Sequence, residues 1–157
     1  MIKASVEPWI EAPLQQFVGD AGVVLALLLH PNGQVMGQYG FTRAMDIMSA
    51  CALAAAIHMS ASELGMQLEG KPFTGLHHAG KDRQIFIGET QTVRGPYILL
   101  TVFDGESSLG LVRVFFDEFR VNLANAAPMP VPAPHPMLNE NFERELNRNL
   151  AVLFGRA

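Results

Sequence analysis

The segment from Arg43 to Gly70 constrains this chain more than any other, because Ile47 to Ser62 contains no Asp, Glu, Lys or Arg. A membrane span needs about 20 mainly apolar residues, and this run is shorter and includes Ser49, Ser60 and Ser62. It reads as a helix of a folded domain. Wound at roughly 100° per residue, its apolar positions form two stripes whose mean directions lie about 170° apart. Ile47, Ala50, Leu53, Ala54, Ile57, Ala61, Leu64 and Leu68 make one, and Met45, Met48, Ala52, Ala55, Met59 and Met66 make the other. One sheet covers one stripe. Branched side chains suit permanent packing, so the first stripe is expected on the sheet. Methionines interleaved with alanines let another backbone come close, so the second is expected against another chain. Cover of the methionine stripe by helix one or the C-terminal helix is the alternative.

Composition narrows the partners. The 157 residues form one core with room for appendages. Eleven Lys and Arg against fifteen Asp and Glu give a net charge of −4. With no basic block, a nucleic-acid footprint or a polybasic membrane patch is not expected. Cys51 is the only cysteine, which leaves no internal disulfide and fits a reducing compartment. The start, MIKASVEPWIEAPLQQF, shows no signal-peptide pattern, so a cytoplasmic protein without membrane insertion is expected.

Along the chain, Pro8 and Pro13 suit a first helix with Ile10, Leu14, Phe17 and Val18 at helical spacing, ended by Gly19 to Gly22. GVVLALLLH and QVMGQYG read as a hairpin around Asn32-Gly33. After the long helix, FTGLHHAG, RQIFIGETQT and GPYILLTVFD read as three strands. Gly22 to His30 is apolar at almost every position and Tyr97 to Phe103 continuously so, and the two belong side by side at the centre. The polar FTGLHHAG belongs at an edge. Ser107 or Ser108 caps a third helix with a core stripe of Val112, Phe115, Phe116, Phe119 and Leu123. The order α-β-β-α-β-β-β-α is α+β with a mainly antiparallel sheet. Residues 1–126 then form the domain and 127–137 a proline-rich linker in extended geometry. Residues 138–157 form a C-terminal amphipathic helix with Leu138, Phe142, Leu146, Leu150 and Leu153 on one stripe.

Little in the chain points to catalysis. There is neither G-x-x-x-x-G-K-[ST] nor G-x-G-x-x-G, so no known loop cradles a nucleotide, and the chain is not itself a GTPase. Gly105 to Gly110, GESSLG, lacks nucleophile-elbow spacing. His77 and His78 are neighbours on a strand, pointing to opposite faces, and do not readily share a metal. His58 lies beside Cys51 on the long helix, where a packed histidine is preferred to a catalytic pair. No metal, no cofactor and no catalytic residue are expected.

HPNGQVMGQYG, the small-residue helix, and GPYILLTVFDGESSLGLVRVFF with its S-x-G-x-V-R helix start resemble the roadblock domain of dynein light chains and bacterial GTPase regulators. The resemblance covers about Pro8 to Leu123. The proline-rich joint and a final helix ending in LFGR make the chain most similar to the MglB type, regulators of a Ras-like GTPase in bacterial polarity. The resemblance implies a five-stranded antiparallel sheet with the long helix on one face and the other helices opposite. It implies a homodimer in which the long helices pair and edge strands, here Phe73, Thr74, Gly75, Leu76, His77 and His78, join two sheets. It implies a GTPase platform at Met45, Met48, Ser49, Ala52, Ala56, Met59, Ser60 and Glu63. Hydrolysis is then accelerated without an arginine finger, Arg43 being at most a helix-start contact. Phe142, Leu146, Leu150 and Leu153 of the final helix supply a second contact or fold back on their own domain. A dimer or a higher assembly fits. A scaffold that only localises a GTPase, and a small-ligand sensor, are the rival readings.

Overall fold

Ten elements build the chain in a computed structural model that describes residues 2–41, 45–131 and 140–155. In order they are β1 (Ile2–Ser5), α1 (Pro8–Ala21), β2 (Leu25–Leu29), β3 (Val35–Gly40), α2 (Ile47–Glu69), β4 (Gly75–Ala79), β5 (Gln84–Thr92), β6 (Gly95–Phe103), α3 (Leu109–Ala126) and α4 (Glu140–Phe154). The boundaries have local causes. Pro8 sits in the first turn of α1, and Gly22 ends it in the left-handed conformation at φ 64°. Asp46 caps α2, its carboxylate accepting from the Ser49 amide at 3.2 Å. The helix therefore begins at Ile47 rather than near Arg43, which lies outside the described residues with Thr42 and Ala44. Ser108 caps α3 through the Leu111 amide. At the hairpin tip Gly33 takes φ 92° and Asn32 Oδ1 accepts from the Gln34 amide.

The strands form one antiparallel sheet in the order β1-β3-β2-β6-β5-β4. All five expected strands are present, with β2 and β6 paired at the centre and β4 at an edge. A short sixth strand, β1, adds to the outer side of β3, pairing Ile2 with Gly40 and Ser5 with Gly37. Four residues before a proline helix carry too little periodicity to announce a strand.

Strand alternation divides the core in two. On one face Ala26, Leu28, Leu99 and Phe103 pack with α1 and α3, where Phe17 and Phe119 meet at 5.5 Å between ring centroids. On the other face Leu25, Leu27, Leu29, Ile87, Ile98, Leu100 and Val102 meet α2 alone. Thus α1 and α3 are spent on the opposite side of the sheet and cover nothing of α2.

Gly40 fixes how β3 leaves β2. It adopts φ 122°, and an added Cβ would lie 2.3 Å from the Val24 carbonyl oxygen. Gly40→Ala is expected to lower unfolding stability by roughly 1–3 kcal/mol through backbone strain. A urea midpoint equal to that of the parent would show that the crossing of these strands is not held this tightly.

Candidate protein-interaction surface

The seat of α2 on the sheet is narrow and, His58 apart, made of small side chains. Cys51, Ala54, Ala55, His58 and Gly65 are its buried residues. The facing strands already present leucine, isoleucine and valine, so small residues on the helix let it descend to close-packed distance. At Gly65 the fit is tightest, since a Cβ there would lie 2.5 Å from the Phe73 amide nitrogen. His58 reaches over β5, its Nε2 3.2 Å from Glu89 Oε2.

This arrangement corrects the expected assignment of the two stripes. The branched stripe does not lie on the sheet. Leu53 is 64% exposed, Leu68 67%, and Ile57 37%. Of that stripe only Ala54 is fully buried, while Ile47, Ala50 and Ala61 are half-buried. Of the methionine stripe only Ala55 is buried, and Met48 is 78% exposed. Both large-residue stripes flank the small seat and form two apolar rails: Leu53, Ile57, Leu64 and Leu68 on one side, Met48, Met59 and Met66 on the other. No other described element covers them.

Between the rails runs a crest of exposed Ser49, Ala52, Ala56, Ser60, Glu63 and Gln67. Its polar atoms already have partners. The Ser49 hydroxyl donates to Asp46 Oδ2 at 2.8 Å, Ser60 Oγ donates to the Ala56 carbonyl at 2.9 Å, and the Gln67 amide reaches Glu63 at 3.4 Å. The two bonds from Ser49 hold the Asp46 carboxyl below its ordinary range. A surface whose serines bond within their own helix loses little when water is removed from it.

The platform residues expected from the sequence therefore fall largely on one surface. Met48, Ser49, Ala52, Ala56, Met59, Ser60 and Glu63 are exposed together, and Met45, just before the helix, is half-buried. Leu53, Ile57, Leu64 and Leu68 join them, having been assigned to the core because size and branching suggested it. By length and a mean hydropathy of 1.4, α2 is long and apolar enough to cross a membrane. The part-buried contact of His58 with Glu89 and the buried seat of Cys51, Ala54, Ala55 and Gly65 hold it instead on the sheet.

The second feature is the free edge of β4. Thr74 accepts from the Glu89 amide and Gly80 donates to Arg83. Alternation along the ladder then turns the backbone groups of Gly75, His77 and Ala79 outward. Phe73 and Thr74 precede the strand, and Gly75, Leu76, His77 and His78 lie in it. His77 bonds Gln84 at 2.7 Å and stacks on Phe103 at 6.1 Å, while His78 is exposed on the other face. The two histidines do not converge. Among the described residues no three His, Cys, Asp or Glu side chains group as a metal would require.

Cys51 and His58 do not form an activated pair. Burial pushes the Cys51 thiol up to about 11, and His58 is engaged with Glu89. On α4, Leu146, Leu150 and Leu153 are exposed, and the Phe142 side chain lies outside the described residues.

A central antiparallel sheet, one long helix alone on one face and two helices on the other also characterise proteins of known structure. Myxococcus xanthus MglB matches with a TM-score of 0.69 at 23% identity, covering 76% of this chain and 95% of its own. The gliding protein MglB of Thermus thermophilus matches at 0.67 and 20%, covering 81% and 98%. The fold is that of a roadblock domain. A Roadblock/LC7 domain from Streptomyces avermitilis agrees at 0.61 and 14%, over 72% of this chain and 92% of that one. No protein-family model and no curated protein matches the sequence, so the roadblock likeness is one of fold.

The raised Cys51 thiol gives a check on the seat of α2. At pH 8 the native protein should react with a maleimide on the order of a hundredfold more slowly than the urea-unfolded chain, since only the thiolate attacks. Fast labelling in native buffer would mean that α2 is not packed down as described.

Proposed function

We propose that this roadblock protein is a homodimeric, cytoplasmic regulator of a Ras-like small GTPase, promoting GTP hydrolysis by binding and without a catalytic group of its own. The observation that carries the reading is the bare crown of α2, two apolar rails around a crest with internally satisfied polar atoms. A contiguous apolar surface of this kind marks an interaction site on a folded domain. Two such helices laid side by side cover one rail each and leave a joint platform for another protein. The free edge of β4, with outward backbone groups at Gly75, His77 and Ala79, is placed to extend one sheet into its copy. Whether two copies associate further into a higher assembly is a matter of the remaining rail.

The chemistry open to this platform is positional. Ile47 to Glu69 contains no Lys or Arg, so the helix offers no cation to the transferring phosphoryl group. Acceleration then comes from preferential binding of the conformation in which the GTPase's own residues are placed for attack. A tenfold preference corresponds to about 1.4 kcal/mol of differential affinity.

The test is phosphate release from the candidate GTPase with and without the protein. The expected result is acceleration of at least about tenfold, equal to ~1.4 kcal/mol in the barrier, and its loss in Ala52→Arg, which places a charge at the centre of the crest. Binding with unchanged turnover would assign the platform to a scaffold that localises the GTPase. Full activity in Ala52→Arg would remove α2 from the interface.

A further inference from the structure

On the opposite face of the sheet a second surface is left open beside α3. Gly75 of β4 and Gly88 of β5 are direct cross-strand partners. Both face α3, so two side chains are missing where the sheet would otherwise be covered. The Phe116 ring takes the space over Gly88, where an added Cβ would lie 2.5 Å from it. Beyond it remains an open hollow of about 460 Å³, floored by Phe73, Phe86 and Phe116. Past Asp117 and Arg120 it continues along α3 into a second hollow of about 400 Å³ beside Val121 and Ala124. Together they make a trough along one flank of α3.

The rim of the trough carries three cations, Lys71, Arg113 and Arg120, against two acids, Glu69 and Asp117. Arg120 lies 5.9 Å above the Phe116 ring and 3.9 Å from Asp117. Lys71 and Arg113 have no ion-pair partner among the described residues. Val121, in the far half, is 59% exposed.

The chain carries one helix with the matching character. Helix α4 presents Leu146, Leu150 and Leu153 bare, and its first six residues, ENFERE, hold three glutamates and one arginine. The crown of α2 offers no Lys or Arg to these glutamates, whereas the trough offers Lys71 and Arg113 without an ion-pair partner among the described residues and Arg120 beside Asp117. Thirteen residues, 127–139, join α3 to α4, a length of chain whose ends can lie at most roughly 43–47 Å apart. Setting the start of α4 beside Arg113 needs a return of roughly 20 Å along α3 at ~1.5 Å per residue and about 8–10 Å across to the neighbouring helix axis, and α4 is shorter than α3.

We propose that α4 docks in the trough of its own subunit, parallel to α3, with its acidic first turns beside Arg113 and Arg120 and its leucine stripe over the hollow beside Val121 and Ala124. The seat lies on the face opposite α2, so the platform stays open when α4 is docked. The inference stands independently of the GTPase reading.

Cross-linking in the full chain tests it. Val121→Cys combined with Asn149→Cys, treated with a short bis-maleimide, should link within one chain in more than about half of molecules, as a tethered helix at high effective concentration does. Ala56→Cys with Asn149→Cys, on the crown of α2, should link at least about fivefold less. Arg113→Glu with Arg120→Glu, both exposed, should cut the Val121–Asn149 yield about fivefold, and raised salt should lower it further. Equal yields at the two sites, links between rather than within chains, or a yield indifferent to charge reversal would each overturn the proposal.

Discussion

The organisation of this molecule depends on how closely α2 is allowed to approach the sheet. The strands beneath it are filled with leucine, isoleucine and valine, and a close-packed interior has no room for a second layer of the same bulk. The helix therefore comes down on Cys51, Ala54, Ala55, His58 and Gly65. Its larger side chains are forced outward on both flanks. The interaction surface is thus a consequence of core packing: a helix that sits on its small residues must expose its large ones.

From that seat follows the asymmetry between the two faces. With α1 and α3 packed against each other through Phe17 and Phe119 on one side, nothing in the described domain remains to flank α2 on the other. The edge strand β4 adds a second unfinished surface next to it. On the α1 and α3 side, the paired glycines Gly75 and Gly88 leave a trough of different chemistry, with Phe73, Phe86 and Phe116 below and Lys71, Arg113 and Arg120 among Glu69 and Asp117 at the rim. The crown of α2 is therefore apolar and without Lys or Arg, while the trough carries three.

Much of this was legible from the residues. Continuous apolar runs located β2 and β6 at the centre, the polar FTGLHHAG marked an edge, and serine, proline and glycine punctuation set most of the helix ends. Two apolar stripes on α2 were correctly separated by periodicity. Their roles were not, because hydrophobic size was taken as a guide to burial, whereas the complementary bulk of the sheet selected alanine, cysteine and glycine. That selection is a tertiary effect, invisible until the partner strands are known. Asp46 as a cap, three residues before Ser49, was a readable signal that periodicity alone overlooked. The strand β1 had no signal of its own, since it owes its conformation to the free edge of β3.

The account predicts that the rails of α2 are covered by a second copy of the chain. Sedimentation equilibrium of the purified protein at micromolar concentration tests this most directly. The expected mass is twice that of the 17.1 kDa chain, or a higher even multiple, falling to that of one chain when Leu53 and Leu64 are both replaced by aspartate. A parent protein that remains a single chain across that range would contradict the claim, because the rails would then be bare in solution with no copy to cover them.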